Sequence, residues 1–267
     1  MLDDKYFVFS PEPITLYGKT GYTIGLNTDY SLSGKITVPT TYNDLPIIAI
    51  TNYGFSNYSG STSSNATPNH SITHLFWAEE TDNLVLIGSY AFRGISTVYS
   101  FKYIELPDSI VEIQNNAFMS QYDLEIETLP ESLEQIGASA FSGCRNINLT
   151  YIGNSVITIS DNAFNGAYGY RTEFSGVVRI GDSVQTIGSR AFAQYGNASV
   201  TGLLTEVHIG SGVTSIGDRA FYPRTSNSET ITDIYIDLEE ENAPAGVTQF
   251  KPWGTDTAVI HWRGMED

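Results

Sequence analysis

Three stretches of the chain gather the residue types that rigid binding surfaces favour. Residues 165–176 hold Tyr168, Tyr170, Arg171 and Phe174, residues 193–202 hold Tyr195, and residues 222–230 hold Tyr222 and Arg224. Aromatic rings and guanidinium groups present large contact areas for few rotatable bonds, while Ser, Gly and Asn around them supply adaptable hydrogen bonds. These seven residues are the candidate contact set for a protein or glycan partner. The arginines would add local positive charge, which suits an acidic protein patch or a glycan. The alternative is that the rings fold back as extra core, and the segments alone leave both open.

Covalent chemistry has less to work with. Hydrolysis of a glycosidic bond needs two carboxylates at a defined separation, one with a raised pKa. The acids Glu105, Glu112, Glu131 and Glu134 instead recur at solvent-facing positions of a pattern, and no pair stands apart. No Ser, His or Cys has the setting of a nucleophile. His70, His74, His208 and His261 share no zinc-ligand spacing, and no Asp-x-Asp calcium pattern occurs. The expectation is a chain that is not an enzyme and carries no cofactor or metal.

Charge narrows the partners further. The formal net charge is -17, and eight acids with no Lys or Arg lie between Lys102 and Arg145. Such a surface repels nucleic acid and anionic lipid, so neither is an expected partner. No apolar run approaches the roughly 20 residues of a membrane helix. Met1 to Lys5 lack the basic start and apolar stretch of an export signal. Five Asn-x-Ser/Thr sequons, at Asn57, Asn65, Asn69, Asn148 and Asn197, carry little weight in so Ser- and Asn-rich a chain.

The elements that must position the three stretches follow from a repeat. Phe55, Phe92, Phe118, Phe141, Phe164, Phe192 and Phe221 are each preceded, five residues earlier, by Ile50, Ile87, Ile113, Ile136, Ile159, Ile187 or Ile216. Three residues before each Ile stands another aliphatic: Ile47, Leu84, Ile110, Leu133, Val156, Val184 or Val213. The residue before each Phe is Ala, or Gly54 in the first copy. One supersecondary unit copied at this period predicts a solenoid. In the copy from Val207 to Phe221, Val207 and Ile209 alternate with polar residues as a half-buried strand does, Gly210 ends it, and Val213 and Ile216 form a second inward segment. Asn52, Ser89, Asn115, Asp161, Ser189 and Asp218, three before their Phe, are placed to cap a single helical turn. The spacing from Ile126 to Leu129 and from Leu149 to Ile152 is three rather than two, which predicts a bulge.

The motif Phe residues should stack at one corner, about 4.7–4.9 Å apart as strands are. Cys144, the one cysteine, falls three residues after Phe141 and is expected buried and unreactive, with Arg145 pointing outward.

This pattern resembles the BspA-like leucine-rich repeats, whose unit reads as a strand ending in Ile-Pro or Leu-Pro, an Ile-Gly turn, then Ala-Phe and often Cys. The matching stretches include Ile104 to Pro107, Leu133 to Cys144 and Val184 to Phe192, and the likeness covers about residues 34–262. Thr40 to Pro46 looks like the family's entry coil, and Pro252 to Gly254 before Val259 to Trp262 like its closing cap. The expected fold is a β-rich repeat solenoid of leucine-rich-repeat type, with parallel strands and short helical turns, capped at both ends. Residues 1–33 would form an N-terminal β cap, 34–246 seven clear coils and a degenerate one, and 247–267 a C-terminal cap in which Val247, Phe250 and Trp253 replace the motif. The resemblance implies a non-catalytic recognition module, secreted or at a cell surface, that binds a protein or glycan. A decorating component of a larger assembly, such as a virion or surface layer, is the alternative, and a polysaccharide-active enzyme the less favoured third. The oligomeric state is left open.

Overall fold

The computed structural model describes residues 4–56, 71–94, 100–167, 176–194, 204–222, 231–244 and 258–263. It is a β solenoid of mostly parallel strands. Strands β1 (Phe7–Phe9) and β2 (Ile14–Leu16) pair antiparallel with β3 (Lys19–Leu26). After β4 (Ser33–Val38) and β5 (Thr41–Tyr42) comes β6 (Leu45–Ile50), to which β3 runs parallel. The chain continues as β7 (Ser71–Trp77), β8 (Leu86–Ile87), β9 (Tyr103–Ile104), β10 (Glu112–Ile113), β11 (Gln135–Ile136), β12 (Tyr151–Ile152) and β13 (Thr158–Ile159). It ends with β14 (Val177–Ile180), β15 (Thr186–Ile187), β16 (Glu206–Ile209), β17 (Ser215–Ile216), β18 (Asp233–Ile236) and β19 (Val259–Trp262).

Most coils contribute one strand to each of two walls. The motif isoleucines form the first wall, extended by Ile24 of the N-terminal segment: Ile24, Ile50, Ile87, Ile113, Ile136, Ile159, Ile187 and Ile216 lie directly beside one another along β3, β6, β8, β10, β11, β13, β15 and β17. The second wall carries β4, β7 and β9 at one end and β12, β14, β16, β18 and β19 at the other. Between these two groups the pairing falls to an isolated bridge from Ile126 to Ile147. A bulge within one sheet was expected there. The three-residue spacing instead ends the strand, because two inward side chains three apart cannot both follow a pleat that alternates faces at every residue.

The corner that joins the walls is itself laddered. The amide of each motif Phe donates to the carbonyl of the Ala preceding the next motif Phe, as in Phe118 to Ala140 at 2.8 Å and Phe192 to Ala220 at 2.7 Å. This brings the rings together: centroids are 5.1 Å apart for Phe118–Phe141 and 5.2 Å for Phe141–Phe164, with planes within 2° and 3°. The seven are consecutive neighbours, at spacings from 5.1 to 5.6 Å, slightly wider than the strand repeat. All seven are fully buried. Burial of one such ring is worth roughly 1.5–3 kcal/mol before entropy is subtracted.

The turns before Phe use a different chemistry from the expected cap. The residue two before each Phe has φ between 54° and 60°: Tyr53, Tyr90, Asn116, Ser139, Asn162, Arg190 and Arg219. A left-handed residue there stops a right-handed helical turn from continuing. The side chains three before Phe therefore reach across coils. Asn52 Oδ1 accepts from the Ser89 amide (2.8 Å), Asn115 Oδ1 from Ala138 (2.7 Å) and Asp161 Oδ1 from Ser189 (2.7 Å). Coils approach closely here: a Cβ on Gly188 would stand 2.4 Å from the amide nitrogen of Asp161.

Candidate recognition surfaces

The three sequence-predicted insertions start and finish on adjacent coils. At their starts the Gly166 amide donates to the Ala193 carbonyl (2.7 Å) and the Gln194 amide to that of Tyr222 (3.0 Å). At their ends Thr205 donates to Gly176 (2.7 Å) and Thr232 to Thr205 (2.8 Å). Each insertion leads directly into β14, β16 or β18, and these three strands pair in register with Val177, Glu206 and Asp233 aligned in their first positions. Of the seven predicted contact residues, Tyr222 is described. The residue is 42% exposed, with the Arg219 guanidinium 5.5 Å from its ring centroid. Tyr168, Tyr170, Arg171, Phe174, Tyr195 and Arg224 lie outside the described residues, as do Val247, Phe250 and Trp253 of the expected closing cap.

A second surface went unnoticed in the sequence. The outward residue before the last apolar residue of each second-wall strand is Tyr151, Arg179, His208, Tyr235 and His261, and pairing sets these five side by side across β12, β14, β16, β18 and β19. Three of the rings stack: His208 and Tyr235 have centroids 4.6 Å apart, Tyr235 and His261 4.3 Å, both with planes 11° apart. Position alone could have revealed the row, since each residue immediately precedes Ile152, Ile180, Ile209, Ile236 or Trp262. It was missed because the chemical pattern runs down the solenoid and not along the chain.

Arg179, His208, Tyr235, His261 and Arg263 line an open groove of about 410 Å3. Acids brace the far sides of the imidazoles: His208 Nε2 bonds the Glu206 carboxylate, and His261 Nε2 lies 2.8 Å from Asp233 Oδ1. Thr232 Oγ1 bonds the other Asp233 oxygen at 2.7 Å, and Arg263 Nε donates to Asp237 Oδ1 at 2.6 Å. The bond from His261, then that from Thr232, holds the Asp233 carboxyl below the ordinary carboxylate range. The Arg263 bond does the same for Asp237. An acid–histidine pair becomes a nucleophile-activating device only with a hydroxyl or thiol on the second ring nitrogen. Among the described residues neither imidazole meets one. A hollow near the other end of the wall, about 620 Å3, is lined by Glu79, Glu80, Asp82, Glu105 and Asp108, so the cationic lining belongs to the first groove alone of the two.

A BspA type leucine rich repeat region matches in 6 copies, over residues 46–199 and 168–242. The chain belongs to the BspA-type leucine-rich repeat family. Among solved structures this BspA-type chain is similar to the T. pallidum leucine-rich repeat protein TpLRR, over 83% of this chain and 87% of that one, with 22% identity and a TM-score of 0.57. It is also similar to a leucine-rich repeat protein from Bacteroides ovatus, over 99% and 67% of the two chains, with 15% identity and a TM-score of 0.50. At these identities the likeness is one of fold. No curated protein gives a significant match. Membership of this repeat family suggests an interaction or surface module. Among the described residues no helix is long and apolar enough to cross a membrane.

Proposed function

We propose that this BspA-type solenoid is a non-catalytic recognition module, secreted or held at a cell surface, that contacts a protein or glycan partner through the edge where the three insertions leave the coils. The observation that carries this reading is the rung-to-rung bonding of the insertion bases, Gly166 to Ala193 to Gln194 to Tyr222 at the starts and Gly176 to Thr205 to Thr232 at the ends. A stiff ladder fixes the anchoring points, so sequence variation in the insertions changes what is presented without disturbing the core. Tyr168, Tyr170, Arg171, Phe174, Tyr195, Tyr222 and Arg224 would supply the aromatic and cationic contacts.

The test is a glycan array and a protein pull-down with the intact chain, followed by affinity measurements on the captured partner. The double variant Tyr170→Ala/Arg171→Ala should bind roughly tenfold more weakly or worse while its melting temperature stays nearly unchanged. A double variant that melts lower and binds normally would place these side chains in the core and the binding edge elsewhere.

A further inference from the structure

The groove over β14, β16, β18 and β19 is an electrostatic exception. The chain carries a formal charge of -17, yet the charged and basic residues lining this groove are Arg179, His208, His261 and Arg263 with one carboxylate, Asp237, which Arg263 engages. Further acids stand outside that lining: Glu206 and Asp233 on the imidazoles, and Asp182 and Glu239 acting on Arg263. Arg179 is exposed, and among the described residues no hydrogen bond or ion pair engages its side chain. A free guanidinium presents a planar fork matched to the two oxygens of a carboxylate.

Ring orientation decides what kind of contact the row can make. His208, Tyr235 and His261 stack face to face, so each middle face is occupied by its neighbour. The inner faces of the row are therefore closed to a stacking sugar ring, and what the row offers there is ring edges, with the imidazole nitrogens that the acids do not hold. Polar donors beside a free guanidinium suit an anion bearing further hydroxyls. The groove's volume, about 410 Å3, falls within the roughly 300–1,000 Å3 of small-ligand sites.

We propose that this groove binds an acidic saccharide through the carboxylate of a uronic-acid-type unit, and binds it more tightly as the two histidines protonate. Arg179 takes the carboxylate; Tyr235 and the imidazoles meet the hydroxyls and remaining oxygen. The pH dependence follows from the braces. Nε2 of each ring faces an acid, Glu206 or Asp233. In the neutral ring Nε2 carries the proton donated to that acid, which leaves Nδ1 an acceptor that repels an anion. Protonation converts Nδ1 into a donor. Among the described residues, the charged and titratable groups around the rings and the groove are Arg179 on β14, Asp182 just past it, Glu206 on β16, Asp233, Tyr235, Asp237 and Glu239 on or just past β18, and Arg263 just past β19. The inference shares with the loop-edge reading only the premise that the chain binds a ligand. A soluble saccharide probe reads the groove alone, so either can fail without the other.

The experiment titrates the full chain calorimetrically with a galacturonic acid oligomer and with a neutral galactose oligomer, at about pH 5.5 and 7.5, on either side of the ordinary histidine range. The acidic oligomer should bind, several-fold more tightly at the lower pH, and the neutral one should not. Arg179→Ala should weaken binding roughly tenfold or more with an unchanged melting temperature, and Arg179→Lys should recover part of the loss, since it restores the charge without the fork. His208→Gln/His261→Asn should flatten the pH dependence. Equal binding of the neutral oligomer, no binding of the acidic one at either pH, or full affinity in Arg179→Ala would overturn the proposal. So would binding of an Asp/Glu-rich peptide in place of the uronate.

Discussion

The Cys144 thiol donates to the carbonyl oxygen of Phe118, one coil back and 2.9 Å away. Gln121 stands at the matching site of the preceding coil, three residues after its own motif Phe, and its side-chain amide donates to the carbonyl of Phe92. Both side chains are fully buried. In these two coils the corner site supplies a donor as well as bulk, whereas the Phe164 coil holds it with the small apolar Ala167; at Cys144 or Gln121 an apolar residue of the same volume would leave a carbonyl without that partner. Burial also pushes the Cys144 thiol well above its ordinary pKa, so the reactive thiolate is scarce. Native protein should label with a thiol reagent only at the rate at which the coil opens, rising steeply with denaturant. Rapid stoichiometric labelling without denaturant would contradict this placement.

Gln121 is the more demanding test of the same site. Its Oε1 accepts from the Phe101 amide (2.7 Å) and the Ser100 hydroxyl (3.0 Å), while its amide serves Phe92. Gln121→Leu leaves the Phe101 amide and the Phe92 carbonyl buried without this partner, each at about 1–3 kcal/mol, while the Ser100 hydroxyl keeps the Phe101 carbonyl at 3.2 Å. A loss of about 3 kcal/mol or more should appear as a lower urea midpoint with an unchanged slope. A loss below about 1 kcal/mol would mean that water or a local shift satisfies them.

Phe141 stacks between Phe118 and Phe164 at 5.1 and 5.2 Å, in the middle of the ladder. Neighbouring rings are held by their own backbone bonds to the next coil and cannot close over a gap. Phe141→Ala should therefore cost about 3–5 kcal/mol. Denaturation at an unchanged midpoint would show that the ladder is not a packed core.

How far the sequence could be read is set by where the information lies. The Ile–Ala–Phe spacing names residues that meet their own copies in the next coil, so Ile113 beside Ile136 and Phe118 beside Phe141 were legible from period alone. The left-handed residue before Ala was not, because Tyr53, Asn116, Ser139 and Arg190 share no chemistry that marks positive φ. The Arg179–His208–Tyr235–His261 row was missed for a related reason: its members are 26 to 29 residues apart, and only strand pairing makes them neighbours. Tyr222 alone of the seven expected contact residues could be placed, exposed at the base of the third insertion.

Ser139 tests the turn. It holds φ at 55° without a side-chain bond to compensate, and for a residue with a Cβ the left-handed region costs roughly 1–2 kcal/mol. Ser139→Gly relieves that strain while adding freedom to the unfolded chain, so stability should stay level or rise by under about 1 kcal/mol. Ser139→Val, branched at Cβ, should lose about 1–2 kcal/mol at the same site. The order Gly, Ser, Val in melting temperature is the expected result. A valine variant at least as stable as the glycine one would mean that the turn relaxes out of the left-handed region.

The acid side of the stability curve should depend on Asp233. Its carboxyl is lowered in the folded chain, first by the bond from His261 and then by that from Thr232. A group lowered on folding adds stability that is fully present above its unfolded value, near about 3.9, and is lost as the pH falls through the folded value. Acidification also neutralises other carboxylates on a chain of formal charge -17, which relieves repulsion and works the opposite way. The difference between two proteins separates these effects, since repulsion changes little on loss of one charge in so many. Melting temperature followed from neutral pH to about pH 3 should fall more in the native chain than in Asp233→Asn, whose disadvantage at neutral pH should shrink below about pH 4. Parallel curves over that interval would mean that the His261 bond forms no more strongly with the carboxylate than with the acid.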